Sequence, residues 1–167
     1  MRNLSNRQIV LAARPAGAPK DSDFRFTESA IPVPGPGQML CRVIYLSLDP
    51  YVRGRMNDGP SYAAPVQIGG VITGRTVSQV VDSNMAGYAT GDFVFCDTVG
   101  WQEYGLMGAD ALGLRKVDPQ RAPISTALGV LGMTGFTAWY GLLEIGAPKA
   151  GETVVVSAAT GSVGSLA

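Results

Sequence analysis

The stretch best equipped for chemistry lies near the C-terminal end of this 167-residue sequence. Thr153-Val154-Val155-Val156-Ser157 is β-branched and continuous, the pattern of a strand buried on both faces of a parallel sheet. It runs into Ala158-Ala159-Thr160-Gly161-Ser162-Val163-Gly164, an Ala-x-Gly-x-x-Gly turn of the kind that joins a strand to a helix and binds a dinucleotide. Gly161 lets the backbone approach a pyrophosphate, and Gly164 lets the helix pack closely on the strand. Free N–H groups at the helix start attract negative charge without any Lys or Arg. Ala159, Thr160, Gly161, Ser162, Val163 and Gly164 are therefore the candidate cofactor contacts. A tight turn without a ligand is the alternative.

Other chemistries are limited by residue type. Histidine is absent, so neither a Ser-His-Asp nor a Cys-His nucleophile can be assembled, and no imidazole can hold zinc. The two cysteines, Cys41 and Cys96, do not make a disulfide framework; they read as buried strand thiols and make a cytoplasmic setting the expectation. Thirteen Lys+Arg balance thirteen Asp+Glu, which leaves no electrostatic footprint for nucleic acid. No apolar run approaches the roughly 18 residues that cross a bilayer. Ile9 to Ala13 is too short for a signal peptide and is followed by Arg14. At 46% apolar, the chain can nonetheless bury a core.

The elements that must position the turn are mostly strands. Arg7–Arg14, Asp23–Glu28 with Phe24 and Phe26 on one face, Met39–Leu48, Gly69–Val81 interrupted at Gly74, Phe93–Phe95 and Trp101–Met107 are strand candidates. Such short strands with Gly/Pro turns between them predict a small β-barrel or sandwich. After Pro119 the period changes. Residues 123–133 look helical but carry Gly129 and Gly132, and Phe136, Trp139, Tyr140 and Leu143 form a helical apolar stripe that Gly146 and Pro148 end. The expected fold is mostly β: a barrel over 1–119, a helical connection over 120–150, and the first strand and turn of an α/β nucleotide domain over 151–167. One strand and half a helix cannot make a parallel sheet, so these residues are expected to be the N-terminal piece of a longer enzyme and inactive alone.

Three separated segments carry a resemblance. Leu46-Ser47-Leu48-Asp49-Pro50-Tyr51-Val52-Arg53, the run Gly132 to Leu142, and Ala158 to Gly164 resemble the zinc-independent medium-chain dehydrogenases/reductases. The branch in question holds prostaglandin reductases, plant alkenal double-bond reductases and bacterial curcumin reductases. The resemblance runs from about Ser5 to Ala167 and implies a GroES-like β-barrel followed by a Rossmann domain. Where zinc-dependent relatives carry Gly-His-Glu-x-x-Gly, this chain has Gly69-Gly70-Val71-Ile72-Thr73-Gly74, which offers no metal ligand. The resemblance further implies NADP as cofactor and a small enone or enal as substrate, and it leaves a homodimer open. NADP over NAD rests on the resemblance alone, because the ribose-reading position normally lies about 20 residues past the turn.

Reduction of a carbon–carbon double bond conjugated to a carbonyl fits these limits. Hydride arrives at the β-carbon, charge gathers on the carbonyl oxygen, and a donor must stabilise it and supply a proton. Without histidine, tyrosine is the natural donor. The resemblance places the loops holding Tyr51 and Tyr62 around the substrate cleft. Tyr51 reads equally as a core aromatic, and Tyr62, in a Gly/Pro/Ser/Ala loop, is the preferred donor. Thr137 and Met133, with Thr134 behind them, are candidate cofactor contacts at a helix start, although the threonines could instead cap it. Arg53 and Arg55 read as a solvated pair ahead of a carboxylate clamp, Asp49 as a turn-former, and Phe136 and Trp139 as core. Two other functions stay open: a quinone reductase with the same cofactor, and a non-catalytic interaction module.

Overall fold

Alternating apolar and polar residues set up an N-terminal hairpin in the computed structural model, which describes residues 5–167. β1 (Ser5–Leu11) pairs antiparallel with β2 (Phe24–Ala30), Ser5 opposite Ala30 and Leu11 opposite Phe24. β3 (Gln38–Leu46), β4 (Thr76–Ser83), β5 (Phe93–Cys96), β6 (Tyr104–Gly108) and β7 (Arg115–Val117) form an antiparallel sheet in the order β6-β3-β4-β5-β7. The hairpin reaches this sheet's loops through Ile9 N–H to the Trp101 carbonyl at 2.9 Å and Ile72 N–H to the Ile9 carbonyl at 3.0 Å. The architecture is mostly β, but the two sheets do not close on each other as a barrel.

The pattern fails in instructive places. Gly69–Val81 is not one strand. Gly69 turns at φ +81°, and at Gly74 a Cβ would lie 2.9 Å from Leu46 Cδ1, so the chain packs there as a loop and β4 starts only at Thr76. Bulges at Leu40/Cys41 and Val43/Tyr45 break the alternation of β3, and Met39, Leu40 and Cys41 are all buried in succession. Phe26 does not share a buried face with Phe24; it is 82% exposed. A short helix, α1 (Tyr51–Arg55), and strand β7 were not evident in the sequence pattern.

Two clusters make the core of this first unit, which ends at Val117. Met39, Cys41, Val80, Val94, Cys96, Val99 and Met107 fill the five-stranded sheet. Leu11, Val52, Met56, Val66 and Ile72 join the hairpin to α1 and the loops after it. Full burial of each such large side chain contributes about 1.5–3 kcal/mol.

The second unit, Asp118–Ala167, is built differently. Residues 123–133 give only a 3₁₀ turn at Ile124–Leu128, because Gly129 and Gly132 break the run. α2 (Met133–Trp139) follows and widens into a π-helical stretch at Tyr140–Gly146. Gly135 is indispensable to this packing: a Cβ there would sit 1.8 Å from the Val130 carbonyl oxygen. Phe136 and Trp139 are not core; their rings lie tilted to each other with centroids 6.0 Å apart, and both residues are about half exposed. Thr153–Val156 forms no strand, and Val155 is 86% exposed. A β-branched run needs neighbouring strands for its N–H and C=O groups, and among the described residues none pairs with it.

Candidate functional site

In the first unit the site residues follow from one turn. Pro50 holds φ at −57° and starts α1, so Tyr51 takes the first helical position, and Val52 N–H returns to the Asp49 carbonyl at 3.1 Å. The Asp49 turn is as expected, but its carboxylate also faces Arg75, with Oδ2 3.6 Å from Nη1. Tyr51 packs on the Leu11–Ile72 cluster. Burial pushes its phenol above the usual tyrosine range, while the nearby Arg75 guanidinium pulls the other way. The hydroxyl therefore keeps its proton at neutral pH and is available as a donor.

Tyr62 stands 83% exposed on the loop that leaves α1. Both ends of that loop are fastened. Arg55 Nε donates to the Ala64 carbonyl at 2.7 Å, and Val66 N–H donates to the Arg55 carbonyl at 2.7 Å. Arg14 Nη1 donates to the carbonyls of Met56 and Val66 at 2.8 and 3.2 Å. The helix that begins with Tyr51 thus grips the far end of the loop that carries Tyr62, at Ala64 and Val66. Arg53 and Arg55 are not a solvated pair: Arg53 bonds the carbonyls of Pro15 and Gly17 and the side chain of Asn57. Arg53 and Arg55 thus donate to backbone carbonyls as loop fasteners while each keeps its positive charge.

The second unit holds the other candidates. Thr137 Oγ1 donates to the Met133 carbonyl at 2.7 Å, and Thr134 Oγ1 donates to the Gly129 carbonyl at 2.9 Å. Neither caps α2, whose cap position is Gly132. Each hydroxyl has given away its one proton and keeps its lone pairs, so toward a ligand it can act only as an acceptor. Met133 is half exposed on the same turn. Along the glycine turn, Gly161 N–H meets the Ala158 carbonyl at 2.9 Å and Ser165 N–H meets that of Gly161 at 2.9 Å. Among the described residues, the N–H groups of Thr160, Ser162 and Val163 meet no protein acceptor. A Cβ on Gly164 would lie 2.1 Å from the Ala158 carbonyl oxygen, so only glycine permits this close return. Unspent N–H donors on a turn free of bulky side chains suit a pyrophosphate. The 3₁₀ turn Gly164–Leu166 packs against α2, and Leu166 lines an open apolar cavity of about 500 Å³ with Phe136, Trp139 and Leu143.

One residue escaped the sequence reading. Arg75 directly follows Gly74, just before β4, and it joins Asp49, Asp97 and the Tyr51 ring. A lone arginine in that position, with Asp49 and Asp97 at comparable turn positions, was the available signal.

Known proteins resemble the chain along nearly all of it. A family described as the N-terminal domain of oxidoreductase matches residues 7–117. The NADPH-dependent curcumin reductase of Escherichia coli is 56% identical over 159 residues, 95% of this chain and 45% of its own length. A 2-alkenal reductase (NADP(+)-dependent) of Nicotiana tabacum is 40% identical over 98% of this chain and 48% of its own. CurA from Vibrio vulnificus, solved in complex with NADPH, superposes with a TM-score of 0.85 at 53% identity over 96% of this chain and 47% of its own. The chain therefore spans about half the length of the relatives it matches.

Proposed function

Because this chain belongs to the medium-chain dehydrogenase/reductase family of oxidoreductases, we propose that it contributes the catalytic N-terminal half of an NADPH-dependent reductase of α,β-unsaturated carbonyl compounds. The observation that carries this reading is the short helix from Tyr51, whose Arg55 fastens the loop that holds Tyr62, so that two phenols, each an apolar ring with one polar hydroxyl, stand on segments tied to each other. An enone has that same character, an apolar body with one polar oxygen. NADPH, when bound, supplies the hydride. The residues suited to hold it are Ala159 to Gly164, through the unspent N–H groups and the space left by Gly164. Thr137 can accept from its carboxamide, and Met133 can pack against it.

The chain's own part in the reaction is proton management. Tyr62, preferred as the donor, bonds the carbonyl oxygen as charge gathers there, and Tyr51 supports it from the protected side of the turn. No zinc is needed for this, and Gly69-Gly70-Val71-Ile72-Thr73-Gly74 supplies no imidazole or carboxylate to hold one. The names of the two relatives above favour double-bond reduction over quinone reduction.

Steady-state assays of the intact natural polypeptide that carries these residues test the proposal. NADPH oxidation with an alkenal should exceed that with a benzoquinone. Tyr62→Phe should lower kcat for the alkenal by about 10²-fold, the usual worth of a positioned proton donor. Unchanged kinetics would remove Tyr62, and a preference for the quinone would overturn the substrate class.

A further inference from the structure

We propose that Arg75 is a positioning residue for Tyr51, holding the turn from Ser47 to Tyr51 in one arrangement so that the phenol donates in a fixed direction. The proposal rests on the reductase reading above. Its basis is that one residue fastens three alternate positions of a single loop. The Arg75 carbonyl accepts from Ser47 N–H at 2.9 Å, its Nη1 lies 3.6 Å from Asp49 Oδ2, and its Cζ lies 5.1 Å from the centroid of the Tyr51 ring. From the other side, Nε donates to Asp97 Oδ1 at 3.2 Å, at the end of β5. Asp97 is itself tied down by its N–H to the Leu112 carbonyl at 3.0 Å.

Burial makes these contacts more than a surface ion pair. The side chains of Arg75, Asp49 and Asp97 are only 20, 16 and 23% exposed. Asp49 Oδ2 is buried without a hydrogen bond, so the facing guanidinium is its main compensation. Two carboxylates hold the guanidinium from two sides, and its Cζ lies over the Tyr51 ring. A lysine could reach one carboxylate or the ring but could not bridge all three groups. The charged groups facing Tyr51 are Arg75, Asp49, Asp97 and Arg55, and of the two cations Arg75 acts on the phenol more strongly.

A double-mutant cycle in the intact polypeptide separates positioning from mere support of the fold. Arg75→Gln should lower kcat for an alkenal about fivefold or more while KM for NADPH stays constant, and Arg75→Lys should recover part of that loss. In a Tyr51→Phe background the same Arg75→Gln change should cost less than about twofold, because the group it positions is gone. A full loss in both backgrounds overturns the proposal, as does a kcat unaffected by Arg75→Gln. If Tyr62→Phe cuts the rate while Tyr51→Phe is silent, the reductase reading stands and this proposal falls. An independent readout needs no turnover: phenolate absorbance near 295 nm, with Tyr51 identified by difference from Tyr51→Phe. Losing Arg75 should move the Tyr51 midpoint to higher pH, and an unmoved midpoint overturns the proposal even if no enone is a substrate.

Discussion

The two units of this chain have similar appetites for burial and satisfy them very differently. Among the described residues, every buried apolar side chain apart from Ala127 and Ala138 lies before residue 118. In the second unit Val130, Leu131, Phe136, Leu143, Ile145, Val154 and Val155 are all half exposed or more, and Trp139 nearly so. Hydrophobic side chains acquire value only when a second layer covers them. The first unit supplies that layer by setting a hairpin against loops of a five-stranded sheet. The second presents a helix, a π-helical extension and an unpaired β-branched run, and it leaves an apolar face of the kind that marks an interaction surface.

That contrast can be broken by mutation. The largest expected effect is in the first unit, where Leu11→Ala or Ile72→Ala, at fully buried positions, should lower unfolding free energy by about 2–5 kcal/mol in urea titrations. Leu143→Ala, half exposed, should cost under about 1 kcal/mol in the same titration; equal losses would mean the units are stabilised alike. Next, Gly135→Ala should disrupt the second unit, because its Cβ meets the Val130 carbonyl, whereas Gly141→Ala has open space and should gain up to about 1 kcal/mol of helix propensity. Far-UV circular dichroism and thermal melts would report both changes.

The smallest effect expected is electrostatic. Arg7 and Glu103 form an exposed ion pair, and the hydrogen bond from Arg7 holds the Glu103 carboxyl below the usual glutamate range. A carboxylate whose folded value is depressed stabilises the fold above its unfolded value and loses that contribution as pH falls through the folded one. Glu103→Gln should therefore cost a little stability at pH 7, less in high salt, and nothing in strong acid. A cost that persists at low pH would assign the contact to packing.

The strands were legible because their apolar residues sit between Gly and Pro punctuation, as around Phe93–Cys96 after Gly91-Asp92. Local bulges and close packing were not. The bulges that bury Met39, Leu40 and Cys41 together depend on the register with β4, and the loop at Gly74 depends on Leu46 and Trp101, distant in sequence. The glycine turn was readable as a pattern, and Gly164 does make a close return that excludes a side chain. The strand before it was misread, since a β-branched run says only that a sheet would suit it. Arg75 was missed for the related reason that its partners lie on two segments distant from it in sequence, the Asp49–Tyr51 turn and Asp97.

The cysteines buried in the five-stranded sheet have a consequence of their own. Burial, with Cys96 adding to it, pushes the Cys41 thiol up to about 12. Alkylating reagents and electrophilic alkenes attack the thiolate, which at neutral pH is almost wholly missing here. Cys41 can be modified only after β3 parts from its neighbours and water reaches the sulfur. The speed at which a reagent captures that sulfur is therefore a clock for how often the heart of the sheet opens.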